Sequence, residues 1–239
     1  VNFEHSAVDG HTVLRFASDV FADNIMRFAK SITKTTHGKN YINDILQASY
    51  RKPDDSIEIE PKRMRWTLNE KVRKQMFFAE TAMSDLIFQT ETRTLEFSDY
   101  GKSFIVSNSM SPDGFVQIAI NAAYYTLYGS FVSTYESVMT KQFLHGRTEA
   151  GRTTSMELVK FAEAFHDEKK TKGEKLELLL AALKRQKAVV RMCQSGKGVD
   201  RHLGGLMYMQ MLNKDEISVP ELFSSKAYQT LTTSILSTS

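Results

Sequence analysis

Apolar residues recur at helical spacing along several long stretches of the chain. Residues 12–34 follow this period, and so does the stretch from Asn69 to about Thr92, with Asn69 in place to cap its N-terminus. Residues 111–129 are apolar nearly all round, which predicts a buried helix with Ser111 as its cap. The same spacing predicts three helices later in the chain, at about 154–167, 173–194 and 199–213.

Shorter stretches that are rich in β-branched and aromatic residues predict strands. These are residues 63–69, 93–97 and 131–143, and the opening VNFEH has the pattern of the end of another strand. Residues 36–61 are polar and make the clearest predicted surface loop, and residues 145–155 form a second, turn-rich loop. Strands interleaved with long helices indicate an α/β or α+β fold.

Composition narrows the class of protein. Of the 239 residues, 41% are hydrophobic and 25% are charged, which is typical of a globular protein. The net charge of +3 comes from intermixed charges, so no nucleic-acid partner is expected. Cys193 is the only cysteine, which excludes an internal disulfide and a cysteine-based zinc site. Because the chain begins and ends within predicted elements, we expect a fragment of a longer protein.

The first candidate for chemistry is His5. An isolated histidine is more often structural than catalytic. His5, however, follows a strand-like segment, with Asp9 four residues later and Gly10 in place for a tight turn. An imidazole oriented at a strand end suits a general base. The pattern H-x-x-x-D-G also recurs in acyltransferases that deprotonate an alcohol or thiol without a nucleophilic serine, so at this point both interpretations stay open.

Four further motifs follow His5 in order, namely TYES at 134–137, HGRTE at 145–149, GVDRHL at 198–203 and LSTS at 236–239. Together they resemble the carnitine/choline acyltransferase family, and FEHSAVDGHTVLRF is most similar to its mitochondrial, palmitoyl-transferring members. The resemblance is weakest across residues 30–62. It implies an α/β fold of the chloramphenicol-acetyltransferase-like type, with two domains of mixed sheet flanked by helices. Residues 1–239 would hold part of that fold, namely the catalytic histidine region and much of the C-terminal half, with the polar loop at about 36–61.

The resemblance also implies roles in catalysis. His5 matches the general base, which takes the proton of the carnitine hydroxyl, or of the coenzyme A thiol in the reverse direction. The freed oxygen then attacks the thioester carbonyl directly. Asp9 matches the acidic position of the motif, and we interpret it as a structural partner. Ser239 matches the serine whose hydroxyl faces the developing oxyanion.

A carnitine site is implied by four further matches. Arg201 matches the arginine that pairs with the carnitine carboxylate, and a guanidinium has the geometry for that group. Tyr135 and Thr148 match two hydroxyl contacts to the same carboxylate, and Ser237 matches a serine near the ammonium group. Choline-specific members of the family lack this cationic arrangement, so the set favours carnitine over choline.

Coenzyme A binding is implied less completely. In GKSFIVSNSMSPDG, residues 101–114, Lys102 keeps one of the family's phosphate-binding lysines, and Asp113 matches an aspartate near the pantetheine or adenine end. Val106, Ser107 and Ser109 stand in the segment where further lysines are expected. We therefore expect weaker coenzyme A binding, or cations supplied from elsewhere in the fold.

These matches predict a carnitine O-acyltransferase of fatty-acid oxidation that uses long-chain acyl-coenzyme A and carnitine as substrates and has no other cofactor and no metal. By the same resemblance we expect a monomer on the matrix side of the mitochondrial inner membrane. Any peripheral membrane contact would come from regions outside this chain, and the fragment alone is expected to be inactive. The alternative is a non-catalytic acyltransferase-like domain that binds acyl-coenzyme A or a protein partner, which the altered lysine segment motivates.

Overall fold

The structure is a computed structural model that describes residues 1–33, 60 and 62–238. The predicted polar loop 36–61, apart from Glu60, and the predicted oxyanion donor Ser239 lie outside the described residues. The chain divides into two compact units, Val1–Glu96 and Phe97–Ser239, and each is described by itself.

The first unit contains the two helices that the apolar period predicted. Helix α1 spans Gly10–Thr33 and helix α2 spans Glu70–Gln89. Asn69 caps α2 as predicted, because its side-chain oxygen accepts a hydrogen bond from the backbone N–H of Val72 at 2.9 Å.

The strands predicted in this unit are wrong. Residues 63–69, residues 93–97 and the opening VNFEH have no strand pairing among the described residues. A strand exists only where a second strand satisfies its backbone groups, and none of the described residues of this unit forms one.

Both helices of the first unit expose large apolar side chains, for example Leu14 at 62% and Phe88 at 93%.

The second unit is a small sheet with helices packed against it. Its elements, in chain order, are α3 Lys102–Ser107, α4 Pro112–Tyr128, β1 Thr134–Met139, β2 Thr148–Gly151, α5 Met156–His166, α6 Lys172–Gln194, α7 Asp200–Leu212, α8 Glu221–Ser224, α9 Lys226–Thr232 and β3 Leu236–Ser237. The predicted long helices are thus confirmed within one or two residues at each end. The short elements α3, α8, α9 and β3 carry too few residues to show a period, and the sequence did not predict them.

The sheet is mixed and has the strand order β2-β1-β3. Strand β1 is antiparallel to β2, with Glu136 opposite Gly151, and parallel to β3, with Tyr135 opposite Ser237. The predicted strand 131–143 is therefore shorter than expected. Residues 145–155, predicted as a loop, contain β2, because pairing with β1 satisfies the backbone of this polar stretch. A mixed sheet with helices agrees with the predicted α/β class.

A layer of three helices, α4, α5 and α6, forms the main core. Ile118, Leu158 and Ala162 are at most 1% exposed at its centre. Ser111 caps α4 as predicted, and helix α4 ends at Gly129, whose φ of 64° is a left-handed conformation. The expectation that 111–129 is buried nearly all round is wrong, because one face of the helix is exposed, with Val116 at 51% and Leu127 at 75%. Helix α6 also contacts β1 and β2, so the helices cover one face of the sheet.

Candidate functional site

His5 lies in the first unit, in a turn directly ahead of α1. Its Nδ1 is 3.6 Å from Oδ1 of Asp9, and its ring centroid is 5.6 Å from that of Phe3. Asp9 is anchored at the start of α1, since its carbonyl accepts a hydrogen bond from the Thr12 N–H at 2.9 Å. The imidazole is 68% exposed and the Asp9 side chain 21%. A carboxylate held at a helix start can orient this imidazole through Nδ1.

Two residues of the predicted carnitine set contact each other in the second unit. Arg201 lies in the first turn of α7 and reaches back to β2. Its Nε donates to the Thr148 carbonyl at 3.0 Å, and its Nη2 donates to Thr148 Oγ1 at 3.2 Å. The Arg201 backbone N–H donates to Oε1 of buried Glu149 at 3.2 Å, which ties the helix start to the strand. A guanidinium and a hydroxyl therefore lie side by side at the edge of the sheet.

The other two residues of that set, Tyr135 and Ser237, are strand partners. They lie directly opposite each other in the β1–β3 pairing, so their side chains share one face of the sheet. Tyr135 is half-buried and Ser237 is exposed. The Thr238 N–H donates to the Tyr135 carbonyl at 2.9 Å, and Nε2 of Gln117 donates to the Thr238 carbonyl at 3.3 Å. These contacts fix Thr238, the residue that follows Ser237, against both β1 and α4.

Tyr135, Thr148 and Ser237 lie on one face of the sheet, and Arg201 contacts Thr148 from α7, but the four residues do not all meet. Thr148 pairs with Met139 at the far end of β1, four residues from Tyr135, which is roughly 13 Å along the strand. Ser137 lies between the two ends on the same face. The alternate residues of β1 are buried against the helices. The sequence did not single out Ser137, although strand alternation in TYES could have placed it on this face.

A mostly buried ion pair lies at the end of β2. The Arg152 guanidinium contacts the Asp200 carboxylate through both Nε and Nη2, and the two side chains are 19% and 13% exposed. Arg152 directly follows β2, and Asp200 is the first residue of α7. The sequence motifs did not predict this pair. The position of Asp200 next to Arg201 in VDRHL is the one local signal that could have drawn attention to it.

The predicted coenzyme A residue Asp113 lies in the first turn of α4, where a carboxylate is favoured by the helix dipole. It faces Glu136, which is 7% exposed on the inner side of β1. Burial, together with the Asp113 carboxyl group, raises the pKa of Glu136 to about 7. Nε2 of Gln186 donates to Glu136 Oε2 at 2.6 Å, while Oε1 of the 3% exposed Gln186 has no hydrogen-bond partner among the described residues.

Lys102 is the first residue of α3 and is exposed. Residues 109–111, the end of the lysine-poor segment, line a cavity of about 350 Å³ together with Lys184 and Lys187 of α6. A second cavity, of about 210 Å³, adjoins Asp113 and is also lined by Lys187. Cations from α6 therefore lie beside the segment in which the sequence lacks them.

The described part of the chain holds no group of three His, Cys, Asp or Glu side chains arranged to bind a metal ion. Across the same ranges, 1–33, 60 and 62–238, no helix is both long enough and apolar enough to cross a membrane.

Comparison with known proteins agrees with the motifs. The chain is 38% identical over its whole length to a Saccharomyces cerevisiae protein named "Putative mitochondrial carnitine O-acetyltransferase" and covers 36% of it. It is 31% identical over its whole length to mitochondrial carnitine O-palmitoyltransferase 2 of Xenopus tropicalis and covers 34% of it. It is 33% identical to choline O-acetyltransferase of Danio rerio, over 75% of this chain and 28% of that relative.

The chain spans about a third of the length of these curated relatives. The family model described as "Choline/Carnitine o-acyltransferase" matches every residue from 1 to 239. It also covers both units, and with them His5, the sheet face of Tyr135 and Ser237, and the contact of Arg201 with Thr148. This chain belongs to the choline/carnitine O-acyltransferase family.

Proposed function

We propose that the full protein is a carnitine O-acyltransferase, which moves an acyl group reversibly between coenzyme A and carnitine in fatty-acid oxidation. The observation that carries this proposal is the contact between Arg201 and Thr148 on the sheet face of Tyr135 and Ser237. Carnitine carries a carboxylate, which needs a fixed cation and hydroxyl donors. Choline carries none, so a guanidinium in this position favours carnitine as the acyl acceptor.

His5 acts as the general base in this proposal. Asp9 faces Nδ1, so Nε2 takes the proton of the carnitine hydroxyl as its oxygen attacks the thioester carbonyl. The new C–O bond forms, the C–S bond breaks, and the imidazolium returns its proton to the coenzyme A thiolate. Ser239 donates a hydrogen bond to the oxyanion that develops on the carbonyl oxygen.

The remaining candidates hold the substrates. Arg201 and Thr148 bind the carnitine carboxylate, Tyr135 supplies its hydroxyl to the same substrate from the other end of β1, Ser237 lies near the ammonium group, and Ser137 offers a further hydroxyl between the two ends. Lys102 pairs with coenzyme A phosphates, and Asp113 lies near the pantetheine or adenine end. No metal or resident cofactor takes part.

The acyl chain of the donor is proposed to be long, because the His5 segment resembles palmitoyl-transferring members. A short acyl chain is the second candidate. The Saccharomyces cerevisiae relative, which is 38% identical to this chain, is named for acetyl transfer, whereas the Xenopus tropicalis relative named for palmitoyl transfer is 31% identical. Initial rates of the full protein with acetyl-, octanoyl- and palmitoyl-coenzyme A, with carnitine in excess, decide between them. A higher kcat/KM for acetyl-coenzyme A than for palmitoyl-coenzyme A would overturn the long-chain assignment.

Histidine catalysis is tested in the full protein with His5→Ala. We expect thiol release from acyl-coenzyme A in the presence of carnitine to fall by at least about a hundredfold, with acyl-coenzyme A binding retained. The matched control is His11→Ala, an exposed histidine on α1. Unchanged turnover in His5→Ala would remove His5 from the mechanism. A wild-type protein that binds acyl-coenzyme A without turnover would favour the alternative, a non-catalytic acyltransferase-like domain.

For the whole protein we propose the two-domain, chloramphenicol-acetyltransferase-like fold and a monomeric state. Because two relatives are named as mitochondrial, we also propose the mitochondrion as its location, on the matrix side of the inner membrane. Residues 1–239 alone are proposed to be inactive, because they correspond to about a third of the relatives' length. Palmitoyl transfer by residues 1–239 at the rate of the full protein would contradict this proposal.

A further inference from the structure

Arg152 makes hydrogen bonds to three separate parts of the second unit. Nε and Nη2 contact the Asp200 carboxylate on α7. Nη1 donates to the Thr134 carbonyl on β1 at 3.0 Å and to Ser133 Oγ at 3.3 Å. Nη1 also donates to Ser234 Oγ, ahead of β3, at 2.9 Å. One guanidinium therefore joins β1, the start of α7 and the segment that leads into β3.

Each of these contacts lies close in sequence to a candidate carnitine ligand. Asp200 directly precedes Arg201, Thr134 directly precedes Tyr135, and Ser234 is three residues ahead of Ser237. Arg152 itself follows the strand that carries Thr148. The guanidinium does not belong to that ligand set and is mostly buried, with its side chain 19% exposed.

We propose that Arg152 is a positioning residue for the carnitine subsite, which sets the relative placement of Tyr135, Arg201 and Ser237. This inference rests on the proposed carnitine transfer and deepens it. The three ligands belong to elements far apart in sequence, and the described contacts of Arg152 join all three. A planar guanidinium with five N–H donors can hold three acceptors at fixed angles, which a lysine ammonium cannot do.

Positioning predicts a selective kinetic effect. A displacement of about an ångström in the groups that position a substrate can lower the reaction rate by up to a hundredfold. We expect the effect to fall on the substrate that those groups hold. Loss of Arg152 is therefore expected to raise the KM for carnitine and to leave the KM for acyl-coenzyme A almost unchanged. A merely structural role would lower the amount of folded enzyme, and with it the apparent kcat, while both KM values stayed at wild-type levels.

The experiment compares variants of the full protein. In Arg152→Met we expect the carnitine KM to rise about tenfold or more, and the acyl-coenzyme A KM to stay within about twofold. Arg152→Lys keeps the positive charge next to Asp200 but loses the planar set of N–H donors, so we expect an intermediate rise in the carnitine KM. Arg152 and Arg185 both line a cavity of about 420 Å³. The matched control is therefore Arg185→Met, which removes the exposed arginine of the two.

Arg152→Met could fail to fold, because it leaves the mostly buried Asp200 carboxylate without its partner. Ser234→Ala keeps the test decisive in that case. This variant removes a single hydrogen bond of Arg152, so we expect a carnitine KM raised by about twofold to fivefold. Combined with Arg152→Lys, its effect on the carnitine KM should be less than multiplicative, because both changes act on one contact.

Equal changes in both KM values, or unchanged carnitine KM values in Arg152→Lys and Ser234→Ala, would overturn the positioning role and leave the carnitine transfer intact. A wild-type protein with no carnitine-dependent turnover would instead overturn the proposed function, and the positioning role with it.

Discussion

Arg201 donates to both oxygens of Thr148, to the carbonyl at 3.0 Å and to the hydroxyl at 3.2 Å. Because Thr148 Oγ1 accepts from the guanidinium, its own O–H is directed elsewhere and is available to a carboxylate. A cation and a hydroxyl donor are thus arranged together before any ligand arrives, and such preorganisation lowers the cost of ordering them on binding.

Arg201→Gln in the full protein is expected to raise the KM for carnitine by about a hundredfold, because the carboxylate loses its cation. The acyl-coenzyme A KM should change little. Initial rates at varied carnitine concentration check this. Lys214→Gln, which removes one exposed positive charge beyond α7, serves as the control. A carnitine KM within twofold of wild type would contradict the assignment of Arg201 to the carboxylate.

Glu136 makes the stability of the protein depend on pH. Its pKa is raised from 4.5 to about 7 in the folded state, so the folded state binds more protons than the unfolded state between these values. The free energy of unfolding therefore falls as the pH rises from about 4.5 to about 7, by at most about 3 kcal/mol. Glu136→Gln removes this decline, so its melting temperature relative to wild type should be higher at pH 8 than at pH 5.

The control for Glu136 is Glu163→Gln, on the exposed side of α5. Its melting temperature should follow that of wild type at both pH values. If the melting temperatures of Glu136→Gln and wild type differed by the same amount at pH 5 and pH 8, the fall in stability with pH would not come from Glu136.

Gly198 is required by the close approach of Glu149. A Cβ at this position would lie 2.3 Å from Cγ and 2.6 Å from Cδ of Glu149, so either the Glu149 side chain or the backbone at position 198 would have to move. We expect Gly198→Ala to lower the free energy of unfolding by about 1–3 kcal/mol in urea titrations. Because Glu149 also accepts from the Arg201 N–H, the carnitine KM should rise as well.

Gly204→Ala is the matched control for Gly198→Ala. Gly204 lies inside α7 with nothing within 4 Å of an added Cβ, so alanine should stabilise the helix by about 0.5–1 kcal/mol. Equal effects of the two substitutions on the free energy of unfolding would show that Glu149 moves aside without cost.

Thr134 is 1% exposed and satisfies two backbone groups. Its Oγ1 accepts from the N–H groups of Thr153 at 3.0 Å and Thr154 at 3.3 Å. Thr134→Val keeps the shape but leaves these donors unpaired, so we expect a loss of about 1–3 kcal/mol in the free energy of unfolding. Thr232→Val, on exposed α9, should cost less than about 0.5 kcal/mol in the same urea titration. Equal losses would show that the two donors find other partners.

The long helices were predictable because they depend on local signals. The caps Asn69 and Ser111 and the apolar period act within one or two turns, and the structure agrees with them over the helices predicted at 12–34, 69–92, 154–167, 173–194 and 199–213. Strands were predicted poorly for the opposite reason. Residues 63–69 have β-branched and aromatic content without a pairing partner among the described residues, whereas the polar residues of β2 have one.

By itself, the sequence determined the family and the four carnitine candidates, because the order of short motifs is a property of the chain. Only the tertiary structure decided that Arg201 contacts Thr148 across 53 residues and that Arg152 contacts Asp200 across 48. It also decided that Glu136 and Gln186 meet on the buried side of β1. Such contacts arise where the sheet register and helix packing bring distant elements together, and no local period of the sequence encodes that register.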